Sequence, residues 1–121
     1  MRGFRLAGGG IALSLMMLGS VQARPLHVVG SPPGPQIYFA GQNAQYVVRF
    51  DGPVDHRTAV LFITRGSTVI QTLPPSHDTP VNVLAAAAPR PPAGAYVLHW
   101  VVRSFPDGEE TDGSSGFTVP Q

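Results

Sequence analysis

The chain has no cysteine and no lysine, and its methionines are confined to Met1, Met16 and Met17. The first absence removes disulfides, thiolate nucleophiles and thiolate metal sites together. The lack of methionine after Met17 removes thioether ligands from everything downstream. Charge is scarce as well, at 12% of residues, and the eight basic residues are all arginine, scattered singly. No basic patch of the kind that holds nucleic acid exists. No internal repeat is visible, and no Gly-rich phosphate loop leads from a strand into a helix.

What the chain does have begins with a leader. Arg2 and Arg5 supply a positive start, Ile11 to Leu18 a short apolar run, and Val21-Gln22-Ala23 small residues at a cleavage position. This pattern predicts a secretory signal over residues 1–23, too short for a membrane span. The competing reading is an uncleaved anchor. Removal of the leader takes away two arginines, so the remaining domain, Arg24 to Gln121, carries a net charge of −1 although the full chain is at +1. A domain of this size builds a core without a covalent staple.

Downstream, apolar residues alternate with polar ones in short runs broken by Gly and Pro. Tyr96, Leu98, Trp100 and Val102 fall on one face of a long strand that ends at Asp107-Gly108. Tyr46, Val48 and Phe50 share a face in the same way. Ala59 to Thr64 is almost wholly apolar, which predicts burial on both faces. With Ser67 to Leu73 it forms a hairpin around Gly66. Short runs at Leu26 to Val29, Val81 to Leu84 and Gly116 to Val119 complete the set. Pro74 to Pro80 reads as loop and Pro106 to Gly113 as a turn region. Ala85 to Ala88 is too short to nucleate a helix before Pro89, and reads as loop or as the tail of the preceding strand. About seven short strands and no helix predict an all-β fold, an Ig-like antiparallel sandwich. Tyr96, Trp100, Phe50, Phe62 and Phe117 are assigned to its core.

Few residues carry chemistry. Ser76-His77-Asp78 holds three suggestive types, but triads assemble in space rather than from neighbours in a proline-rich loop. The chain therefore reads as a non-enzyme. His56 and His77 read as solvated, and His99 as half exposed on the strand face opposite Trp100. Asp107 reads as a turn residue capping its own backbone, or as a metal ligand. Asp107, Glu109, Glu110 and Asp112 form an acidic cluster, of a kind that either holds a hard cation or is simply solvated.

Three segments together resemble the CopC family of periplasmic copper-resistance proteins. They are Ser31-Pro32-Pro33-Gly34, Val48 to Asp55 with its Pro53-Val54, and Pro92 to Ser104 continuing through Asp107-Gly108 to Gly116-Phe117-Thr118-Val119. The resemblance implies a periplasmic Ig-like sandwich that carries copper, with the copper ion and a membrane copper transporter or another periplasmic protein as partners, and no nucleic acid. It implies Cu(II) ligation by the mature amino terminus, a histidine at that first position, and the Asp and His of an Asp-Gly-His motif. Here the first mature residue is Arg24, and the third motif position is Glu109. Guanidinium has only donors and cannot ligate, while a carboxylate suits copper less than imidazole does. Asp107 remains. His27, otherwise a surface strand histidine, reaches Asp107 if the first segment runs beside the last hairpin. The implied site is thus an altered Cu(II) site of Asp107, His27, the Arg24 amine and Glu109. The other expectation is a sandwich that has kept the fold, lost the metal and serves as an interaction module.

Overall fold

The computed structural model describes residues 25–121, so the predicted leader and Arg24 lie outside the described residues. Seven strands form two antiparallel sheets: β1 (Gln36–Ala40), β2 (Asn43–Arg49), β3 (Val60–Arg65), β4 (Thr68–Leu73), β5 (Val83–Pro89), β6 (Gly94–Arg103) and β7 (Glu110–Val119). One sheet has the order β1-β2-β5 and the other β4-β3-β6-β7. This is the Ig-like sandwich expected from the strand pattern.

The core forms where the two alternating faces meet. Tyr46, Val48 and Phe50 come from one side, and Leu61, Ile63, Leu98, Trp100 and Val102 from the other; all are buried. Cross-strand sizes are matched. Tyr46 stands opposite Ala86, and Val48 opposite Leu84. The four alanines extend β5, and Ala86, opposite Tyr46 on the inner face, leaves room for its ring, which meets Phe117 edge-on with centroids 5.8 Å apart. Packing here overrides the weak strand preference of alanine.

Four expectations are corrected. Leu26 to Val29 forms no strand; its only ladder pairing among the described residues is the bridge Val28 to Phe50, although Leu26 itself is buried in the core. The edge strand is instead β1, whose half-buried Ile37 and Phe39 pack on the core. The outer face of β3 is only partly covered: Val60 is 42% exposed, Phe62 is half-buried and stacked on His99 with centroids 4.6 Å apart, and Thr64 alone on that face is buried. The turn after β6 is short, and β7 begins at Glu110 rather than Gly116. Within β7, Gly113 pairs with Trp100. A Cβ at that position would fall 2.6 Å from the indole, so the glycine is what lets the ring lie flat on the strand.

Candidate metal centre

Strand directions bring the N-terminal segment, the Asp51 turn and the β6–β7 hairpin to one end of the sandwich. The hairpin loop is braced from within. The Ser104 amide donates to the Glu109 carbonyl at 2.9 Å, the Gly108 amide to the Ser104 carbonyl at 2.8 Å, and the Glu109 amide to Ser104 Oγ at 3.1 Å. It is also braced from outside, by the Phe105 amide on the Pro53 carbonyl and the Asp55 amide on the Arg103 carbonyl. Leu26 crosses to this hairpin, its amide meeting Thr111 Oγ1 at 3.3 Å. The first segment therefore does run beside the last hairpin.

His27 is held by Asp51. Its amide donates to Asp51 Oδ1 at 3.0 Å and its Nδ1 meets Asp51 Oδ2 at 3.3 Å, while the Asp51 amide donates to the His27 carbonyl at 3.0 Å. A neutral imidazole facing a carboxylate donates through Nδ1, which leaves the Nε2 lone pair for another partner. The ring itself is exposed. A histidine held this way by a carboxylate is arranged as metal-ligating histidines usually are. Asp51 was legible only as a turn residue, because its partner lies 24 positions away.

Asp107 is exposed and its carboxylate accepts no hydrogen bond from a described residue, so the predicted self-capping role is not used. Glu109 is half-buried and works through its backbone. Glu110 pairs with Arg103 at 3.0 Å on the surface, an arrangement worth little stability. Among the described residues no three His, Asp or Glu side chains converge where one ion would sit. His27 and the Asp107 hairpin share an end of the molecule without forming a closed cluster. Arg24 lies outside the described residues.

Of the other histidines, His56 is not solvated. Its Nε2 donates to the Val83 carbonyl at 2.7 Å and lies 3.0 Å from Thr79 Oγ1, tying the segment before β3 to the start of β5. His99 is half-buried, as its strand position predicts, and its Nε2 lies 2.9 Å from Thr64 Oγ1.

Seven antiparallel strands in an Ig-like sandwich, with a histidine–carboxylate pair beside an Asp-Gly hairpin, define the class. The CopC domain model matches residues 28–120, and the chain belongs to that family of copper-resistance proteins. The match takes in Asp107 and Glu109 and starts one residue after His27. No curated protein matches. Among solved structures, CopC from Methylosinus trichosporium OB3b is similar in fold, with a TM-score of 0.63 and 23% identity over 78% of this chain and 93% of that one.

Proposed function

We propose that this protein is an exported, periplasmic, non-enzymatic copper carrier of the CopC type, with an altered and weakened Cu(II) site. The observation that supports it is the Asp51–His27 pair, which leaves Nε2 without a partner among the described residues, one position after Leu26, whose amide meets Thr111 of the hairpin that carries Asp107. Cleavage after Ala23 would put the new amine on Arg24, two residues before Leu26 and so within about 7 Å of it along the chain. The donor set is then one imidazole, one amine and the carboxylates of Asp107 and Glu109. Oxygen in place of a second imidazole lowers affinity and selectivity for copper. Such a site suits a carrier that holds Cu(II) outside the cytoplasm and hands it on, with a membrane transporter as one recipient.

The lack of a three-donor cluster among the described residues favours a second reading, in which the fold has kept its shape and serves as a metal-free interaction module. A Cu(II) titration of the mature protein with its native amine, against a competing chelator, separates the two. The carrier reading expects one-to-one binding that His27→Ala or Asp107→Ala abolishes. It also expects Asp51→Asn to weaken binding roughly 10- to 100-fold, the usual cost of losing an orienting partner. Weak binding that none of the three changes would establish the second reading.

A further inference from the structure

The opposite end of the sandwich carries a second candidate site. β6 is ten residues long, so its two ends lie about 30 Å apart. At the Gly94 end, Arg65, Arg90, Tyr96, Ile70 and the Pro91-Pro92 pair line a cleft of about 350 Å³. The two arginines are built in. The Arg65 guanidinium lies 5.4 Å from the Tyr96 ring centroid, across Gly94, where a Cβ would sit 3.2 Å from its Nη2. Arg90 lies 5.1 Å from the Phe39 centroid and is fixed by Nη2 donating to the Pro120 carbonyl at 2.7 Å. Neither makes an ion pair with a described residue, the Gln121 carboxylate included. Register places the acidic side chains toward the other end: Asp51, Asp107, Glu109 and Glu110 around the hairpin, and Asp78 in the loop after Leu73. Two guanidinium groups thus face an apolar cleft with no counter-charge.

The cleft opens on β4, the edge of its sheet. β4 has no charged residue and no proline to block pairing, and Val69 and Ile70 are 55% and 42% exposed. Natural edges are usually blunted by such residues; β4 lacks them, and its one irregularity is a bulge that leaves Ile70, a cleft-lining residue, without a partner in β3, so the rest of the edge is open to an added strand. We propose that this end docks an extended acidic peptide segment of a partner protein, which adds to β4 and seats its carboxylate between Arg65 and Arg90. A second copy of the chain fits less well: its β4 brings no carboxylate, and both guanidinium groups would stay unpaired. The Arg65 guanidinium makes no hydrogen bond to a described residue and offers its whole edge, while Arg90, whose Nη1 and Nη2 donate to the Gly41 and Pro120 carbonyls, keeps one N–H on each for a carboxylate.

The test is an amide-resolved NMR titration with a blocked hexapeptide of alternating threonine and valine that ends in two aspartates. A control peptide ends in two lysines. The proposal expects saturable shifts in β4 and at Arg65 and Arg90, weakening with salt. The Arg65→Glu, Arg90→Glu double variant should lose at least tenfold affinity for the acidic peptide and gain the basic one, which separates charge recognition from misfolding. The absence of saturable shifts would overturn it, as would equal binding of both peptides by the parent protein. So would β4 shifts that follow protein concentration without peptide, the mark of a second copy. Sodium acetate serves as a further probe: if the acidic peptide moves only the arginine signals that acetate also moves, and leaves β4 unmoved, the cleft takes an adventitious ion only.

Discussion

Tyr46 shows what a single side chain does in this core. Its ring is fully buried, and its hydroxyl has no hydrogen-bond partner among the described residues. Burial raises the phenol above its ordinary value of 10.0, and the neighbouring Tyr96 adds to the rise. The native state therefore holds this proton more tightly than the unfolded chain. The stability linked to it is fully present below the unfolded value, and is lost as pH climbs from there through the folded value. Tyr46→Phe removes an unpaired polar atom, so its melting temperature near neutrality should match the parent or exceed it by the equivalent of about 1 kcal/mol. From about pH 8 to about pH 11 the variant should also lose less stability than the parent, in melts run side by side. At this scale the sequence was half legible. Alternation placed Tyr46, Leu98 and Trp100 inside correctly. It gave no sign that His56 is a structural clamp or that His27 leans on Asp51, because those partners sit more than twenty positions away.

The strands were legible where polar and apolar residues alternate, and illegible where small residues fill the ladder. β2, the β3–β4 hairpin and β6 follow from their patterns. The first half of β7, Glu110-Thr111-Asp112-Gly113-Ser114-Ser115, has turn composition yet is strand, since β6 offers it a ten-rung partner. Asp112-Gly113 looks like a turn, but its glycine is there for the indole beneath. The two glycines of β7 therefore differ sharply in what they tolerate. Gly113→Ala forces a Cβ into Trp100 and should cost about 1–3 kcal/mol, with an altered near-ultraviolet dichroism signal from the indole. At Gly116 the nearest atom to a new Cβ is the Tyr96 carbonyl oxygen at 3.8 Å, so Gly116→Ala should stay within about 0.5 kcal/mol of the parent. Chemical denaturation of both variants checks the contrast. β1 was missed for a related reason: five residues after Pro35 with only Ile37 and Phe39 facing inward make a weak signal.

The whole molecule is polar end to end. Carboxylates gather around the β6–β7 hairpin, two unpaired arginines occupy the other end, and a packed sandwich without a disulfide separates them. Nothing in local sequence spacing announces this, since each end gathers three separate connections: β2–β3, β4–β5 and β6–β7 at one, and β1–β2, β3–β4 and β5–β6 at the other. Over about 30 Å the two ends should act independently. Asp107→Ala should leave acidic-peptide affinity unchanged, the Arg65→Glu, Arg90→Glu pair should leave Cu(II) affinity unchanged, and combining all three should give binding and stability changes that add within about 0.5 kcal/mol. Coupling beyond that would mean that the sheet transmits strain between its ends.

The seating of Trp100 on Gly113 has an optical consequence. It is the only tryptophan, and its rung lies three places, or about 10 Å, from the rung that closes the hairpin. A paramagnetic ion captured at the hairpin would quench its fluorescence, and a peptide captured at the arginine end would leave its intensity alone. The protein carries a native lamp at one end, and whether that lamp dims tells an observer which end has been visited.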